Sequence, residues 1–240
     1  MMQELFNQAI VLNIKPVDEN AALGRFLLDD GRIIFLKIPG YQNPQSKHRL
    51  SLQLNSIVEL EYFQNVNFPN SGKLKRATLE KQLVFTLDRQ THIIFLLHDL
   101  LRNYKKLSPE IYQFYVLLFT NNNENILTLS SILFLFLKLI QFENFFPNFN
   151  ACANCQTNKN IDSFSLDHGG LLCVKCAKKF QIKSLQVPLL KKIIMLGKIT
   201  NYPDLSKVYF LPREEIIIKE IFGNYLEITL GINTNQLKNI

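Results

Sequence analysis

Short segments in which apolar and polar residues alternate fill the first 80 residues of the chain. This period of two predicts β-strands with one buried face, and it places Val58, Leu60 and Tyr62 on one face of the fourth segment. Five short strands separated by turns are typical of a small closed barrel, of which the OB-fold is a prominent case. The predicted strands cover residues 6–14, 22–28, 32–38, 56–63 and 73–80.

Turn-forming residues mark the ends of these strands. Asp29-Asp30-Gly31 lies between two apolar runs and predicts a hairpin, in which the aspartates serve the turn rather than form a catalytic pair. Asn70-Ser71-Gly72 predicts the turn into the fifth strand. The polar residues 39–55 predict a long loop between the third and fourth strands.

Apolar residues recur at helical spacing through most of the remaining chain, with further helices predicted at residues 89–105, 185–199 and 212–230. Ser108-Pro109-Glu110 predicts a helix start, because serine is a good N-cap and proline suits the first turn. The most apolar run, residues 126–142, is shorter than the ~20 residues that span a bilayer, so we expect a buried core helix. The predicted fold class is α+β, with an OB-fold-like barrel in residues 1–80 and an α-helical domain in residues 81–240.

The composition favours a folded protein with an anionic partner. The chain has 240 residues, of which 47% are hydrophobic, and this suffices for a sizeable core. Its formal net charge of +7 favours nucleic acid as the partner. The first residues include an acid, Glu4, and no basic segment before an apolar block, so we expect no secretory signal, a reducing cytoplasmic location and no membrane partner.

All four cysteines lie in one stretch, as two Cys-x2-Cys pairs separated by 17 residues. Each pair can point two thiolates in one direction, and the turn Asp167-His168-Gly169-Gly170 would return the second pair to the first. The spacing predicts a zinc ribbon at residues 150–178 with one structural Zn²⁺. The alternatives are two disulfides, which need an oxidising compartment, and a redox pair, which needs one such motif at a helix start. The predicted zinc ligands are Cys152, Cys155, Cys173 and Cys176.

Cationic side chains concentrate in the barrel segment, where no acid occurs between Asp30 and Glu59. Such cations can neutralise phosphates, with Tyr41 or Tyr62 as stacking partners for bases. The alternative is a solvated loop with edge-strand lysines that oppose aggregation. The predicted DNA-binding residues are Arg32, Lys37, Lys47, His48, Arg49, Lys73, Lys75 and Arg76.

Two further groups of lysines each allow two interpretations. Lysines near the cysteines either offset thiolate charge on a solvated face or contact nucleic acid. Lysines of the helix predicted at residues 185–199 either rim an apolar groove for an acidic, hydrophobic peptide or cover the polar face of an ordinary amphipathic helix. The first group is Lys175, Lys178, Lys179 and Lys183, and the second is Lys191, Lys192 and Lys198. No nucleophile-elbow, P-loop or zinc-protease motif occurs, so we do not expect an enzyme.

The order of these features resembles the bacterial RecO family. The loop between the third and fourth strands has the family's glycine, proline, Ser-Lys-x-Arg motif and later glutamine, at Gly40, Pro44, Ser46, Lys47, Arg49 and Gln53. It has Gln42, Asn43 and Gln45 where relatives often carry cations. The stretch Gly169-Gly170-Leu171-Leu172-Cys173 and the tail at residues 224–239 also resemble the family.

The resemblance implies a non-enzymatic mediator of DNA repair and homologous recombination in the bacterial cytoplasm, associated with the nucleoid. Such a protein binds single- and double-stranded DNA and anneals complementary strands. It works with RecR, engages the C-terminal tail of the single-strand-binding protein and helps load the recombinase onto coated single strands. The alternatives are a zinc-ribbon transcription or RNA-binding factor, a nuclease with an unrecognised site, and a protein adaptor.

Overall fold

The computed structural model describes residues 2–82, 88–120, 128–200 and 202–230. The chain divides into two compact units. The first comprises Met1–Thr86 and Leu101–Asn122, and the second comprises Leu87–Leu100 and Asn123–Ile240. The domain boundary near residue 80 stays a prediction. The described residues confirm an α+β protein with a five-stranded sheet in its N-terminal part.

The five strands of the first unit form a closed barrel in the order β1-β2-β3-β5-β4. Parallel pairing joins β3 to β5, and the other neighbours are antiparallel. The strands are β1 (Met2–Pro16), β2 (Ala22–Leu28), β3 (Ile33–Ile38), β4 (Ser56–Asn65) and β5 (Phe68–Gln82).

The barrel interior follows the predicted alternation. Val58, Leu60 and Tyr62 of β4 are buried in one core cluster, while Glu59 between them is exposed. Residues from all five strands and the loop before β4 complete that cluster, because alternate side chains of a strand point to the same face. The other buried members are Ala9, Val11, Phe26, Leu28, Ile34, Leu36, Ile38, Leu52, Leu74 and Ala77.

The turn predicted at Asn70-Ser71-Gly72 is wrong. The chain reverses at residues 66–67, where the Asn65 side chain accepts a hydrogen bond from the backbone N–H of Asn67, and residues 70–72 already belong to β5. Gly72 instead lets the backbones of β4 and β5 approach each other closely, because a Cβ there would collide with the backbone carbonyl oxygen of Phe63 on β4. A glycine beside polar residues therefore does not mark a turn at this position.

The predicted hairpin at Asp29-Asp30-Gly31 is confirmed. Asp30 accepts hydrogen bonds from the backbone N–H and the guanidinium of Arg32, and Gly31 has a φ of +84°. Asp30 thus serves the turn, as expected from the sequence, whereas the Asp29 side chain accepts a hydrogen bond from the Asn7 side chain at 3.1 Å. The predicted loop between β3 and β4 holds one short helix, α1 (Lys47–Ser51).

A helix and the segment before it belong to the first unit. Helix α3 (Pro109–Thr120) begins as predicted, and the Ser108 side chain accepts a hydrogen bond from the backbone N–H of Glu110 at 3.3 Å. The Tyr112 hydroxyl donates to the Gln8 side chain at 2.6 Å, and the Arg25 guanidinium donates to the carbonyl of Leu101. These bonds tie residues 101–117 to the outside of the barrel.

The second unit is mainly helical. It contains α2 (Asp88–Leu100), α4 (Leu129–Phe142), α5 (Val174–Lys179), α6 (Val187–Lys198), α7 (Pro212–Leu230) and a 3₁₀ turn (Tyr202–Lys207). Helix α4 is buried on nearly all sides, as predicted from its apolar run. Among the described helices, none has both the length and the apolar character needed to cross a membrane.

A small hairpin in the second unit is formed by β6 (Ile161–Ser165) and β7 (Gly170–Cys173). Aromatic contacts attach it to the helices, since the Phe164 ring lies 5.4 Å from that of Phe149 and 5.9 Å from that of Phe222 in α7. Such packing fixes the base of the hairpin and so positions the cysteines that flank it.

Candidate metal centre and barrel surface

Two segments bring the four cysteines together. Cys152 and Cys155 lie in the loop before β6, whereas Cys173 ends β7 and Cys176 lies in α5. Because β6 and β7 are antiparallel, the chain returns the second pair to the first. The predicted gathering of the cysteines is confirmed.

The reversal between β6 and β7 depends on two glycines. Gly169 and Gly170 have φ angles of +78° and +128°, which side chains other than glycine rarely adopt. Gly170 also lies against the backbone of Asn148, and a Cβ would not fit there. The turn predicted at residues 167–170 is confirmed.

The sulfur positions suit one tetrahedral ion. All four Sγ atoms lie within 4.8 Å of one another, and the Sγ atoms of Cys155 and Cys173 are 3.7 Å apart. Bonds of ~2.3 Å to a central Zn²⁺ imply a separation of about 3.8 Å between sulfurs in a tetrahedron. None of the four cysteines forms a disulfide. The donor set and spacing are therefore compatible with a metal site.

The protein environment lowers the pKa of two of the thiols, Cys152 and Cys173, and raises that of Cys155 and Cys176. Burial opposes ionisation of Cys152, but hydrogen bonds from backbone N–H groups, that of Cys173 first, outweigh it and lower its pKa to about 6. The backbone N–H of Cys176 similarly lowers the pKa of Cys173. The Asn154 side chain favours the Cys176 thiolate, yet burial and the neighbouring thiols raise the pKa of Cys176 to about 12. A bound cation would let all four ionise together.

The polar residues near the sulfurs, Asn154 and His168, do not belong to the group of potential ligands. The Asn154 amide donates to the Sγ of Cys176 at 3.2 Å, which is a typical outer contact for a thiolate. His168 instead lies in the turn, where its Nδ1 is 3.0 Å from the hydroxyl of Ser165 and its ring lies 4.4 Å from that of Phe180. The group of potential ligands in the described residues is the four cysteines.

The lysines near the cluster lie on the surface. Lys175, Lys178, Lys179 and Lys183 are all exposed, and the ammonium of Lys179 lies 5.2 Å from the centre of the Phe180 ring. They surround a thiolate set that would carry a net charge of −2 with one dication. The structure therefore agrees with either interpretation, charge compensation or contact with nucleic acid.

Four of the predicted DNA-binding cations lie on neighbouring parts of the barrel. Lys37 of β3 and Lys73 of β5 are register partners, so both occupy the outer face next to each other. Lys47 and Arg49 are exposed on α1, which contacts β5. Within the described residues, Lys37 has one weak ion pair, to Asp18 at 3.5 Å. We call Lys37, Lys47, Arg49 and Lys73 the basic patch.

The other predicted cations of the barrel are engaged with acids. Arg32 forms an ion pair of 2.7 Å with Asp30 in the hairpin turn. Lys75 contacts both Glu4, at 2.6 Å, and Glu61, and these carboxylates raise its pKa. The sequence could not reveal the contact of Lys75 with Glu4, because the two lie 71 residues apart.

Arg76 lines an outer groove of about 540 Å³ formed by β1, β4, β5 and the hairpin turn. Asp29, Glu59 and Glu61 line the same groove, and Phe6 is exposed within it. We call it the acidic groove. Its charge is opposite to that of the basic patch, although both belong to one barrel.

The structure also describes His48, Tyr41 and Tyr62, the uncharged residues considered for DNA contact. Burial lowers the pKa of His48 below the ordinary 6.5, so this residue is neutral at neutral pH. Tyr62 is 1% exposed and its hydroxyl donates to Asn7, so it is excluded as a stacking partner for bases. Tyr41 is half-buried and packs against the barrel core.

The three lysines predicted for partner binding have different surroundings. Lys192 is 2.6 Å from the carboxylate of Glu214 and lies over the Tyr209 ring, and Lys191 is exposed. Lys198 lines a separate cavity of about 220 Å³ between α4 and α6, together with Lys138. Sequence reasoning missed Lys138 because it lies within the apolar run of α4.

The fold and the cysteine cluster together define an α+β protein that joins a closed five-stranded barrel to a helical unit with a candidate four-thiolate centre. No family model matches the chain. The DNA repair protein RecO of Caldicellulosiruptor saccharolyticus is 25% identical over 95 residues, which are 39% of this chain and 38% of that protein. The DNA repair protein RecO of Oceanobacillus iheyensis is 34% identical over 82 residues, which are 34% of this chain and 31% of that protein.

These similarities confirm the resemblance to RecO that the motif order indicated. The matched stretch spans about a third of the length of each relative. Both relatives are named as DNA repair proteins.

Proposed function

We propose that the protein is a mediator of DNA repair and homologous recombination that binds single- and double-stranded DNA and anneals complementary strands. The observation that carries this proposal is the basic patch, where exposed cations come from β3, from its partner strand β5 and from α1, which contacts β5. The strand order, with β3 parallel to β5, supports assignment of the barrel as an OB-fold. Many barrels of this kind bind oligonucleotides.

The mechanism is electrostatic and breaks no covalent bond, so we propose no catalytic residue. Cations of the basic patch neutralise phosphates and release counterions from the strand. Two strands held near the same patch repel each other less, because part of their charge is compensated. Complementary bases can then pair.

The second part of the proposal is that Cys152, Cys155, Cys173 and Cys176 hold one Zn²⁺. The 3.7 Å sulfur separation and the all-thiolate donor set support it. Four protein ligands fill a tetrahedral site, so this ion would stabilise the hairpin rather than activate water. Metal binding and folding of this region would then be coupled.

The third part concerns protein partners. The cavity between α4 and α6 is lined by Phe134, Leu137 and Phe146, with Lys138 and Lys198 beside them. An apolar pocket flanked by cations suits an acidic, hydrophobic peptide, and we propose that it receives the C-terminal tail of the single-strand-binding protein. RecR, which together with this protein would load the recombinase, is proposed as a partner from the resemblance alone.

The test uses the metal-loaded full chain with labelled strands. We expect binding to single strands that weakens steeply with salt, and faster annealing of complementary strands. Annealing should accelerate for any sequence. Strong preference for one sequence without annealing would favour a transcription or RNA-binding factor, metal-dependent loss of the label would favour a nuclease, and no binding even at low salt would favour an adaptor.

A further inference from the structure

The outer face of the barrel carries two highly exposed phenylalanines in opposite surroundings. Phe68 is 66% exposed and Phe6 is 69% exposed. Phe68 begins β5, the strand that carries Lys73 and Lys75 further along, whereas Phe6 lies in the acidic groove. A single exposed apolar residue is common on protein surfaces, whereas a cluster of exposed apolar residues often marks an interaction site.

Phe68 lies at an apolar hairpin tip, which we define as Met2, Val66 and Phe68. Asn65 of β4 is the register partner of both Met2 and Phe68, so the three strands end side by side. All three tip side chains are more than half exposed. The described core of the barrel includes none of these three residues.

Phe63 precedes Asn65 by two residues in β4 and therefore lies on the same face, further from the hairpin tip. Its register partner is Lys73, whose own partner on the other side is Lys37. A row of two cations and one partly buried aromatic ring therefore crosses β3, β5 and β4. Phe63 and the hairpin tip are roughly 7 Å apart along the strand, from the rise per residue.

The negative charges of the acids near this row, Glu4 and Glu61, are offset by ion pairs with Lys75. Glu4 is the register partner of Phe63, but Lys75 binds it at 2.6 Å. The same ammonium lies 5.9 Å from the centre of the Phe63 ring and also contacts Glu61. Lys75 thus separates the row from the acidic groove, so a phosphate near Lys73 meets little opposing charge.

We propose that Phe68 and Phe63 form a stacking platform for two successive bases of single-stranded DNA, with Lys73 and Lys37 holding the adjacent phosphates. The two residues lie at levels roughly 7 Å apart along the strand direction, twice the ~3.4 Å rise per nucleotide of a duplex strand. Only a strand whose bases are unstacked and extended can place consecutive bases on both rings. This inference rests on the proposed DNA-binding function and adds selectivity for single strands to it.

The experiment compares Phe68→Ala with Phe6→Ala in the metal-loaded full chain. Each variant removes one equally exposed ring from the same sheet, so thermal unfolding should change little in either. The probes are a labelled oligothymidylate strand, a duplex of the same length, and a strand of the same length that lacks bases. Phe68→Tyr tests whether another aromatic ring restores binding.

We expect Phe68→Ala to weaken binding to oligothymidylate by roughly ten-fold, the loss typical of one stacked base. Its affinity for the duplex and for the abasic strand should equal that of the wild type, and Phe68→Tyr should bind like the wild type. Phe6→Ala should leave all three affinities unchanged. Equal losses on the oligothymidylate and abasic strands, or equal losses in both alanine variants, would overturn the platform. A wild type that binds no probe would instead overturn the proposed function itself.

Discussion

The cysteine cluster takes its four ligands from a single stretch, residues 152–176, whereas the cations of the basic patch come from β3, α1 and β5. In the cluster, one hairpin decides the geometry, and every sulfur lies within 4.8 Å of the others. On the barrel, the surroundings of each cation depend on strands that are distant in sequence. Lys73 and Lys75 are two residues apart, yet Lys75 is held by Glu4 and Glu61.

The cysteine cluster thus depends on one local segment, whereas the basic patch depends on several elements, so single substitutions should have different effects in the two regions. Removal of one thiolate should disrupt the whole cluster, because the proposed tetrahedral site needs all four ligands and metal binding at such sites is coupled to folding. Removal of one cation should cost one phosphate contact and leave the others in place. The following predictions test that contrast.

The largest effect is expected for Cys173→Ser. The variant should lose the bound metal and the order of the β6–β7 hairpin, because metal binding at such sites contributes on the order of 10–16 kcal/mol. Metal content and protection of hairpin amides from hydrogen exchange measure both consequences. Lys175→Ala is the control and should keep its metal. Full metal content in Cys173→Ser would contradict the four-thiolate site.

A smaller effect is expected for Lys47→Ala combined with Arg49→Ala. This double variant should weaken binding to single strands and reduce the slope of log affinity against log salt by about 1.4, since each phosphate contact contributes about 0.7. Its metal content should stay that of the wild type. A slope identical to the wild type would remove α1 from the DNA-binding surface.

Lys73→Ala and Lys75→Ala form a matched pair within β5. Lys73→Ala should reduce the salt slope by about 0.7, whereas Lys75→Ala should leave the slope unchanged, because Lys75 already pairs with Glu4 and Glu61. The same titration measures both variants. Equal reductions in slope would show that the carboxylates do not withhold Lys75 from phosphates.

The smallest effect is expected for His48→Ala. Burial lowers the pKa of His48, so the imidazole is neutral at neutral pH and the variant should bind DNA as the wild type does. The wild type gains a cation that the variant lacks only as the pH falls below the ordinary value of 6.5. A difference between the two at neutral pH would show that His48 contacts DNA in another way.

Local sequence predicted much of this molecule. The alternation in β4, the helix start at Ser108-Pro109 and the turn at Gly169-Gly170 are each decided by a few consecutive residues. The cysteine spacing predicted the cluster for the same reason. The RecO resemblance depended on the order of such local motifs.

Features that depend on neighbouring strands were not predictable. Gly72 was misread as a turn because the carbonyl of Phe63, which it admits, lies on another strand. Tyr62 is the opposite case, because its alternation with Leu60 already predicts an inward position that conflicts with stacking on bases. Phe68 and the acidic groove around Phe6 became recognisable once the strand register was known.

The salt dependence of single-strand binding tests the central claim most directly, namely that the barrel binds DNA by neutralising phosphates. The metal-loaded full chain is titrated with oligothymidylate between about 50 mM and about 200 mM salt. Four cations of the basic patch predict a slope of about −3, at about 0.7 per contact. No binding at the lowest salt, or an affinity that does not change with salt, would contradict the account.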